Sequence, residues 1–516
     1  MVFPRIIFPK VDLKYIWLIV VIFIVAFSVR FGIYDVKDFV FDDAYIGARI
    51  AKNFADGFGL VYNIGDNIQT NTSLMFGLFF GLLWKVIGET SFNAIRIIGA
   101  IVDSVVALGI AWLFWGAREV GNYNIKRYFL AFAAGMTYAI SATAAIPAVG
   151  GLETPYYALF IIMMFIALQR NYFNLAILLA VLGVFMRPDG IVAAIIVTMF
   201  VLFKQKKNIT PQLLLILVSA IIYCATLLSM YGTLIPQSVV AKSLIQGPAI
   251  EQWIVFLNKF YFSWALVPGL FSVIGVYYVL SRRRDLMPIF IWGFAYAFLL
   301  SSFASWWSWY FPPFVIVYVL SIFAGVGYIT EVAAASNFFL KRMSIIIIGV
   351  ISIIILSGFA IKSYSSIIAL NKESSGRWKE ELIIVTNWIK SNIPPDKNIM
   401  LASAGLFGFL LPHQIDDYPG LASPQVTAAL SDYRDTIGSP YENEPEAWSY
   451  IINKIKPYAI ITEKEISNSL IKNGIIDQYE IQYYCCLELV NKSEEPGPYL
   501  ILIRRPEVAI PLNASQ

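Results

Sequence analysis

Cysteine, histidine and charged residues are all scarce in this chain. Its 516 residues include three cysteines and one histidine, and only 14% are charged. Cys224 lies in an apolar run and Cys485 and Cys486 are adjacent, an arrangement that does not suit a disulfide framework. The sequence contains no dinucleotide, P-loop or zinc signature. With 58% apolar residues and a mean hydropathy of +0.69, the composition excludes a soluble globular enzyme, a disordered chain and a fibrous repeat.

Long apolar runs take the place of these polar residues and predict about eleven transmembrane helices. The runs begin near Tyr15, Asn93, Tyr128, Pro155, Tyr172, Gly190, Pro211, Phe262, Met287, Tyr310 and Met343. The first run follows Arg5, Lys10 and Lys14, as a secretory signal would, but it is long and no small-residue cleavage site follows it. We therefore expect an uncleaved membrane helix at the N-terminus.

One further apolar segment, Leu74 to Ile87, is about 14 residues long and contains Lys85, so it is short for a span. If it does not cross the membrane, 15 of the 25 Lys and Arg residues before residue 363 fall in inner loops, close to helix ends, as the positive-inside bias expects. If it does cross, the basic clusters at 204–207 and 282–284 face the wrong side. We therefore expect an outer juxtamembrane helix here and a cytoplasmic N-terminus.

The charge balance divides the chain into two regions. Up to Lys362 there are 25 Lys and Arg against 15 Asp and Glu, and from Ser363 onward 13 against 19. The tail combines an amphipathic helical pattern after Trp378 with short apolar strands at 399–402, 459–462 and 499–503. The sequence thus predicts an α-helical polytopic membrane domain, residues 1–362, and a soluble extracytoplasmic α/β domain, residues 363–516. The only histidine, His413, is expected at the surface of that tail.

Unusual polar and aromatic residues gather at the predicted outer ends of the spans. They are Asp42 and Asp43, Glu153, Arg187 and Asp189, Lys242, and Trp306, Trp307 and Trp309. Ionisable residues at membrane level are costly and are functional candidates by default. We expect these side chains to converge on one outward-facing cavity.

The aspartate pair is the strongest catalytic candidate. It begins a predicted helix, since Ile46, Ile50 and Phe54 recur every four residues behind it. Asp42 could simply cap that helix and favour its positive end. Two adjacent carboxylates after a membrane span favour catalysis instead, because one can act as a general base while Asp43 orients it or shares a divalent cation such as Mg or Mn.

Three cations are candidates for binding a lipid phosphate: Arg187, Lys242 and Arg49, the last on the polar face of the predicted helix. Because Arg187 opens the turn sequence Arg-Pro-Asp-Gly, it could instead be a turn residue that snorkels to the interface. Glu153 could likewise mark only the helix start that Pro155 suggests.

Aromatic side chains are the candidates for sugar contacts. Trp306, Trp307 and Trp309 have the composition of an interfacial aromatic belt, although aromatic faces also stack on sugars. Tyr45, on the polar face of the predicted helix, is a further candidate, and so are the carboxylates of Glu153 and Asp189.

At these residues the chain resembles a known family. The run Phe41-Asp-Asp-Ala-Tyr-Ile-Gly-Ala-Arg49, continued to Thr72-Ser73, is similar to the first outer loop of the GT-C membrane glycosyltransferases. Within them it is most similar to the branch of the terminal arabinofuranosyltransferases of cell-wall arabinan assembly. Further matches, in chain order, are Gly151-Leu-Glu-Thr154, Arg187-Pro-Asp-Gly190, Tyr231-Gly-Thr-Leu-Ile-Pro236 with Lys242, and Asp417-Tyr-Pro-Gly-Leu421.

This resemblance implies a hexosyl- or pentosyltransferase of cell-envelope polysaccharide biosynthesis. It implies a polyprenyl-phosphate sugar donor, a glycan or glycolipid acceptor outside the membrane, inversion at the anomeric carbon and Asp42 as the base. Relatives often have an Arg just before the Tyr and Pro of the tenth span, whereas residues 309–312 contain none. Its role would then fall to Arg187, Lys242 or a metal. Membrane lipids are implied partners and nucleic acid is not.

Two other classes of function also fit a membrane protein with outer charges. A lipid-linked saccharide transporter or flippase would show paired broken helices in matching halves, with charges on both sides of the midplane. A non-catalytic membrane anchor for the tail would have scattered outer charges. The arrangement of Asp42, Glu153, Arg187 and Lys242 discriminates between these alternatives.

Overall fold

The computed structural model describes residues 16–504 except 37–38, 116–124, 206–209, 337, 374–376, 403, 463–465, 467–469, 471 and 485–499. The basic residues expected at 5–14 and 206–207, and the paired cysteines 485–486, lie outside the described residues. The chain divides into two compact units. Unit 1 comprises 1–44, 72–232 and 248–375, and unit 2 comprises 45–71, 233–247 and 376–516.

Most described residues are helical. In chain order the helices are α1 (Ile16–Tyr34), α2 (Asp42–Ala55), α3 (Leu74–Ile87), α4 (Thr90–Trp115), α5 (Ile125–Ile140), α6 (Ala142–Val149), α7 (Thr154–Gln169), α8 (Phe173–Met186), α9 (Gly190–Lys204), α10 (Thr210–Tyr231), α11 (Gln237–Leu244), α12 (Ala249–Phe260), α13 (Leu266–Ser281), α14 (Met287–Phe303), α15 (Phe311–Ser336), α16 (Phe338–Glu373), α17 (Arg377–Asn392), α18 (Leu406–Leu410), α19 (Pro424–Thr436) and α20 (Glu444–Ile455). The described residues of unit 1 include no β-strand.

Unit 1 is a multi-pass membrane unit, as the apolar runs predict. Among the described residues six helices are long and apolar enough to span a membrane, and α5 with α6 forms a seventh if this pair, bent by 52°, counts as one span. Helices α7, α8, α9 and α14 also lie at predicted spans but have only 14–17 residues. The count of about eleven spans, and the sidedness, stay predictions.

Several helices of unit 1 expose apolar side chains, as expected for helices that face lipid. In α10 only 6% of the most apolar window is buried, and Leu214, Leu217 and Ile221 are each 58% exposed. An apolar face of this size on a protein in water would be an aggregation site, whereas lipid covers it at no cost. Helix α15 is the opposite case, with 89% of its window buried, and forms the centre of the unit.

Small residues let α13 and α15 pack closely inside unit 1. A Cβ atom on Gly275 would overlap the carbonyl group of Ser321, and one on Gly325 would overlap that of Phe271. The hydroxyls of Ser272 and Ser321 are hydrogen-bonded at 2.6 Å between the same helices. In a membrane, such close backbone approach and interhelical hydrogen bonds supply the packing energy that hydrophobic exclusion supplies in water.

Unit 2 contains a five-stranded mixed sheet. Its strands are β1 (Asn398–Leu401), β2 (Gln414–Asp417), β3 (Ala459–Thr462), β4 (Tyr479–Tyr484) and β5 (Leu500–Arg504), in the spatial order β2-β1-β3-β5-β4. Strands β1, β2 and β3 are parallel, with Ile399 opposite both Ile415 and Ala459, and β5 is antiparallel to β3 and β4. The three strands predicted from the sequence overlap β1, β3 and β5.

The segment 233–247 lies outside the predicted tail but belongs to unit 2 and contributes to its core. Leu244 of α11 is buried in the same apolar cluster as Val426 and Trp448. The side-chain amide of Gln237 donates to the Gly420 carbonyl at 3.2 Å and to the Thr427 hydroxyl at 2.6 Å. Helix α16 continues through Lys362 to Glu373, across the boundary predicted at 362/363. Contacts far apart in sequence cannot be recognised from composition and charge.

The prediction that His413 lies at the surface is wrong. Its side chain is fully buried just before β2, with Nε2 3.1 Å from the Ile393 carbonyl oxygen. An imidazole can be buried when it is neutral and a ring nitrogen has a polar partner. Burial, with a smaller contribution from the positive charge of Arg49, lowers the pKa of His413.

Candidate functional site

The aspartate pair lies in the first turn of α2. The start of this helix packs against two glycines of unit 1, Gly150 and Gly151. The Phe41 backbone amide donates to the Gly150 carbonyl at 3.2 Å, and the Phe41 ring lies where a side chain at 150 would be. Gly151 has φ +89°, a conformation that L side chains rarely adopt. Asp42 and Asp43 are partly buried and lie in the first turn of the helix, at the positive end of its dipole.

Arg96 fixes both sides of this junction. Its Nε donates to the Val149 carbonyl at 2.9 Å and Nη2 to the Phe39 carbonyl at 2.8 Å. Its guanidinium also stacks over the Tyr34 ring, 4.4 Å from the centroid. The residues before Asp42 and the end of α6 are therefore held by one buried cation. Sequence reasoning missed Arg96, although a charge inside an apolar run was the available signal.

Three of the predicted site residues form one buried charged cluster in unit 1. Arg187 follows α8, and its Nε and Nη2 donate to the two carboxylate oxygens of Asp189 at 3.1 and 2.9 Å. Its Nη1 lies 3.8 Å from Oε1 of Glu153. The Arg187 side chain is only 4% exposed. Glu153 and Asp189 immediately precede α7 and α9, so the apolar helices bring these polar turns together.

Tyrosine rings enclose the Arg187 guanidinium on both sides. Cζ lies 5.0 Å from the ring centroid of Tyr157 and 4.7 Å from that of Tyr310. Tyr296 donates its hydroxyl to the Tyr310 carbonyl at 2.9 Å. Within the described chain, Nη1 of Arg187 and the hydroxyl of Tyr157 are buried without a hydrogen-bond partner. These two donors suit an anionic ligand, because a buried polar atom left unsatisfied costs free energy.

Tyr157 is a residue that the sequence reasoning missed. It lies in the first turn of α7, four residues after Glu153, and its side chain is fully buried. The sequence shows two adjacent tyrosines, Tyr156 and Tyr157, near the start of this span, but nothing in it singles out Tyr157. Its contact with Arg187 depends on the return of the chain through α8, which composition does not reveal.

The turn from Gly150 to Thr154 connects the aspartate pair with the charged cluster. The Gly150 carbonyl accepts a hydrogen bond from the Phe41 amide, just before α2. Glu153, in the same turn, forms an ion pair with Arg187. The hydroxyl of Thr154 donates to the Trp309 carbonyl at 3.1 Å, and the Trp309 ring meets that of Phe41 edge-on at 5.3 Å. Phe41, directly before the aspartate pair, therefore belongs to one connected set of contacts with Glu153, Arg187 and Trp309 within unit 1.

The three tryptophans have different surroundings. Trp306 is buried and stacks on Phe256 and on Phe311 at ring-centroid distances of 5.3 and 4.9 Å, so its ring has little exposed surface for the predicted sugar contact. Trp307 is 43% exposed and stacks on Trp309 at 5.5 Å. Trp307 thus keeps the exposed aromatic surface that the prediction requires.

Arg49 is corrected from a phosphate ligand to a structural residue of unit 2. Its three guanidinium nitrogens donate to one side-chain oxygen and to four backbone carbonyls. These acceptors are the carbonyls of Tyr62, Gly408, Leu411 (3.2 Å) and His413 (2.8 Å) and the Oδ1 atom of Asn63 (3.3 Å). No nitrogen is left for a phosphate. Tyr45 is also buried, with its ring 5.8 Å from that of Phe409, so the predicted polar face of α2 is an internal contact face of unit 2.

Lys242 and the motif at Asp417 also lie in unit 2. Lys242 is in the last turn of α11 and half-buried, and its phosphate-binding role stays a prediction. Asp417 accepts hydrogen bonds from the backbone amides of Leu421 and Ala422 at 2.6 and 2.7 Å. Burial raises the pKa of Asp417 to about 6, against the effect of these bonds. The motif thus forms a closed turn after β2.

The residues that could bind a metal are few. Among the residues that the structure describes, no group of three or more His, Cys, Asp or Glu side chains is arranged to hold an ion. Asp42 and Asp43 offer hard oxygen donors, a set that Mg²⁺ accepts when substrate phosphate oxygens and water complete its shell. The pair therefore fits a divalent cation only together with a phosphate ligand.

Comparisons with known proteins identify the fold. No curated protein sequence matches this chain significantly. A family model described as a domain of unknown function, DUF8728, matches residues 371–500. Among solved structures, ArnT from Cupriavidus metallidurans bound to undecaprenyl phosphate is similar at a TM-score of 0.57 and 12% identity, over 96% of this chain and 99% of that one.

A second solved structure is similar to the same extent. The Archaeoglobus fulgidus oligosaccharyltransferase, tethered to an acceptor peptide, matches at a TM-score of 0.56 and 12% identity, over 97% of this chain and 75% of that one. Both proteins have the GT-C fold. The chain therefore has this fold, as its motifs predict, whereas the arabinofuranosyltransferase-like branch stays a prediction.

Proposed function

We propose that this protein is an inverting glycosyltransferase that moves a sugar from a polyprenyl-phosphate donor to a glycan or glycolipid acceptor outside the membrane. The main support for the proposal is the buried Arg187 cluster, which the turn from Gly150 to Thr154 connects with the start of α2. Arg187 has one guanidinium nitrogen without a hydrogen bond, and Tyr157 contributes a second buried donor. Preorganised donors of this kind stabilise a departing phosphate by about 3 kcal/mol each.

The fold neighbours support the same chemistry. One of them is bound to undecaprenyl phosphate and the other is tethered to an acceptor peptide. Arg187 stacks directly on Tyr310, in the turn where related sequences often carry an arginine that this chain lacks. We therefore propose that Arg187 contacts the donor phosphate there; Lys242 stays the other candidate for phosphate binding.

The proposed reaction is a single displacement. The acceptor hydroxyl oxygen attacks the anomeric carbon, and the bond from this carbon to the phosphate oxygen breaks. The lipid phosphate leaves with the bonding electrons. Asp42 takes the hydroxyl proton as general base, and Asp43 orients it. Attack from the face opposite the leaving phosphate inverts the anomeric centre.

Further residues contribute to substrate binding in this proposal. The exposed ring of Trp307 stacks on a sugar, and the tail helps to hold the acceptor glycan. Asp42 and Asp43 would hold a Mg or Mn ion in the presence of the donor phosphate, where the ion would neutralise negative charge. A transport function is less well supported, since the described residues include one bent helix pair and not two in matching halves.

The test is a transfer assay on the full-length protein with polyprenyl-phosphate sugars, with and without divalent cation. We expect Asp42→Asn to lower turnover by about 10²- to 10⁴-fold, the usual contribution of a general base, while donor binding persists. Asp43→Asn is expected to have a smaller effect.

The matched control is Asp56→Asn. Asp56 is exposed just after the end of the same helix and lies outside the proposed site, so turnover should stay unchanged. If Asp42→Asn kept turnover within threefold of Asp56→Asn, Asp42 would not be the base. If no polyprenyl-phosphate sugar supported transfer by the unmodified protein, the proposed donor class would be wrong.

A further inference from the structure

A groove with one basic end lies on unit 1, away from the Arg187 cluster. It is formed by α4, α7 and α8 and has a volume of about 330 Å³, within the range of small-ligand sites. Its walls are apolar and include Val105, Leu108, Ile162, Met163, Leu175 and Leu179. At one end it is bounded by Trp112, Arg170 and Tyr172.

The groove is open along its length. Val105 is 39% exposed, Met163 43% and Leu175 36%, so apolar side chains of all three helices reach its mouth. In a membrane this mouth opens to lipid chains. A groove of this kind admits a flexible hydrocarbon chain from the side.

The basic end lies at the opposite end of α7 from the candidate active site. Helix α7 has 16 residues and a length of about 24 Å at 1.5 Å per residue. Glu153 immediately precedes α7, whereas Arg170 immediately follows it. Helix α8 returns from the Arg170 turn and ends just before Arg187. The two arginines therefore mark opposite ends of this helix pair.

The chemistry of the basic end suits a lipid head group. Cζ of Arg170 lies 5.7 Å from the centroid of the Trp112 ring, and Tyr172 follows in the same turn. Arginine, tryptophan and tyrosine are the residues that proteins use at the membrane–water boundary. A guanidinium group also matches the two oxygens of a phosphate diester.

We propose that this groove binds an anionic phospholipid, with an acyl chain between α4, α7 and α8 and its phosphate at Arg170. The occupant is a lipid of the leaflet at the α7–α8 turn and not the polyprenyl donor, whose phosphate has to reach the other end of α7. The complementary charge of Arg170 selects an anionic head group over a zwitterionic one. Another groove, lined by Val273, Tyr277 and Tyr328 with four aliphatic residues, has no charged lining residue and offers no such selection.

The test measures lipids retained by the full-length protein. The protein is reconstituted in nanodiscs of equal parts phosphatidylglycerol and phosphatidylcholine and transferred to mild detergent, and bound lipids are weighed by native mass spectrometry. We expect the unmodified protein to retain phosphatidylglycerol preferentially. Arg170→Gln should reduce that preference by about tenfold, the change that 1.4 kcal/mol produces.

Two further variants complete the experiment. Arg284→Gln removes an exposed positive charge that does not line the groove and should leave the preference unchanged. Val105→Trp fills the groove from its open side and should reduce retention of both lipids. Equal preference in Arg170→Gln and Arg284→Gln would overturn the proposal. So would retention of an added polyprenyl phosphate that depends on Arg170, which would assign the groove to the donor.

Discussion

Replacing Arg49 by methionine should destabilise unit 2 selectively. The side chain is only 7% exposed and joins α2 to the Gly408 and Leu411 carbonyls, which follow it by more than 350 residues. Methionine has a similar length and fills much of the same space, but it donates no hydrogen bond. The substitution therefore removes the hydrogen bonds and the charge while it keeps most of the packing.

The size of the effect follows from the acceptors that are left behind. Four backbone carbonyls and the Asn63 side chain lose a charged donor. Removing one partner of a buried polar group costs about 1–3 kcal/mol, but neighbouring losses are not additive. We expect a total of about 3–5 kcal/mol, a large part of the 5–15 kcal/mol that stabilises a typical domain. Unit 2 would then unfold about 10 °C lower.

The assay is hydrogen exchange of the full-length protein in nanodiscs, read by mass spectrometry, together with thermal unfolding. Amides of β1 and β3 in unit 2 should exchange faster in Arg49→Met, while amides of α13 and α15 in unit 1 should not change. The control is Lys52→Met, an exposed residue of the same helix, with an expected effect within about 0.5 kcal/mol. Arg49→Lys should recover little of the lost stability of unit 2, because a single ammonium group cannot reach acceptors on several sides.

Two results would refute this reasoning. Equal stability of Arg49→Met and Lys52→Met would mean that the hydrogen bonds of Arg49 contribute little. Unchanged exchange in unit 2 combined with weaker binding of a polyprenyl phosphate would restore Arg49 as a phosphate ligand.

Two further predictions concern the junction before α2 and the buried histidine. Arg96→Met should lower kcat/KM about tenfold or more by releasing the Phe39 and Val149 carbonyls, with partial recovery in Arg96→Lys; activity equal to the unmodified protein would contradict a positioning role. Because the pKa of His413 is lowered in the folded state, unfolded chains take up the proton first as the pH falls below 6.5, and the stability that neutral His413 contributes is lost over this window. The difference in Tm between the unmodified protein and His413→Gln should therefore shrink from pH 8 to pH 5, while Asp417, with its pKa raised to about 6, titrates in both proteins; a constant difference would contradict the burial of a neutral imidazole.

Local sequence patterns were sufficient to predict many of the helices. Ile46 and Ile50 are four residues apart, a spacing that predicts a helix, and the structure has this helix as α2. The apolar runs predict the membrane helices of unit 1. The membership of α11 in the core of unit 2 was not predictable, because Leu244 meets Val426 and Trp448 across almost 200 residues. Periodicity reports which face of an element is buried, but not what covers it.

The candidate site was also predictable only in part, because the sequence shows unusual residues but not their partners. A charge in an apolar segment is visible in sequence, so Glu153, Arg187 and Asp189 were identified, and the structure brings them together. Arg49 was assigned wrongly because a buried arginine that binds carbonyls and one that binds phosphate have the same sequence signature. Tyr157 was missed because tyrosine is common in apolar helices and only its neighbour Arg187 makes it unusual.

The charge balance around Arg187 restricts how the proposed donor can bind. One guanidinium group lies with the carboxylates of Asp189 and Glu153, so the cluster carries more negative than positive groups before a donor arrives. A buried arginine needs such partners, because an isolated cation at membrane depth is costly. In the proposed function a phosphate diester adds another negative charge to this cluster, and the carboxyl groups of the aspartate pair act on the same donor. Arg187 alone cannot balance these charges, so the proposed function predicts a second positive charge with the phosphate: a divalent ion held by the aspartates, or the other candidate cation, Lys242. Transfer that is unaffected both by chelation and by Lys242→Met would therefore contradict the assignment of the donor phosphate to this cluster.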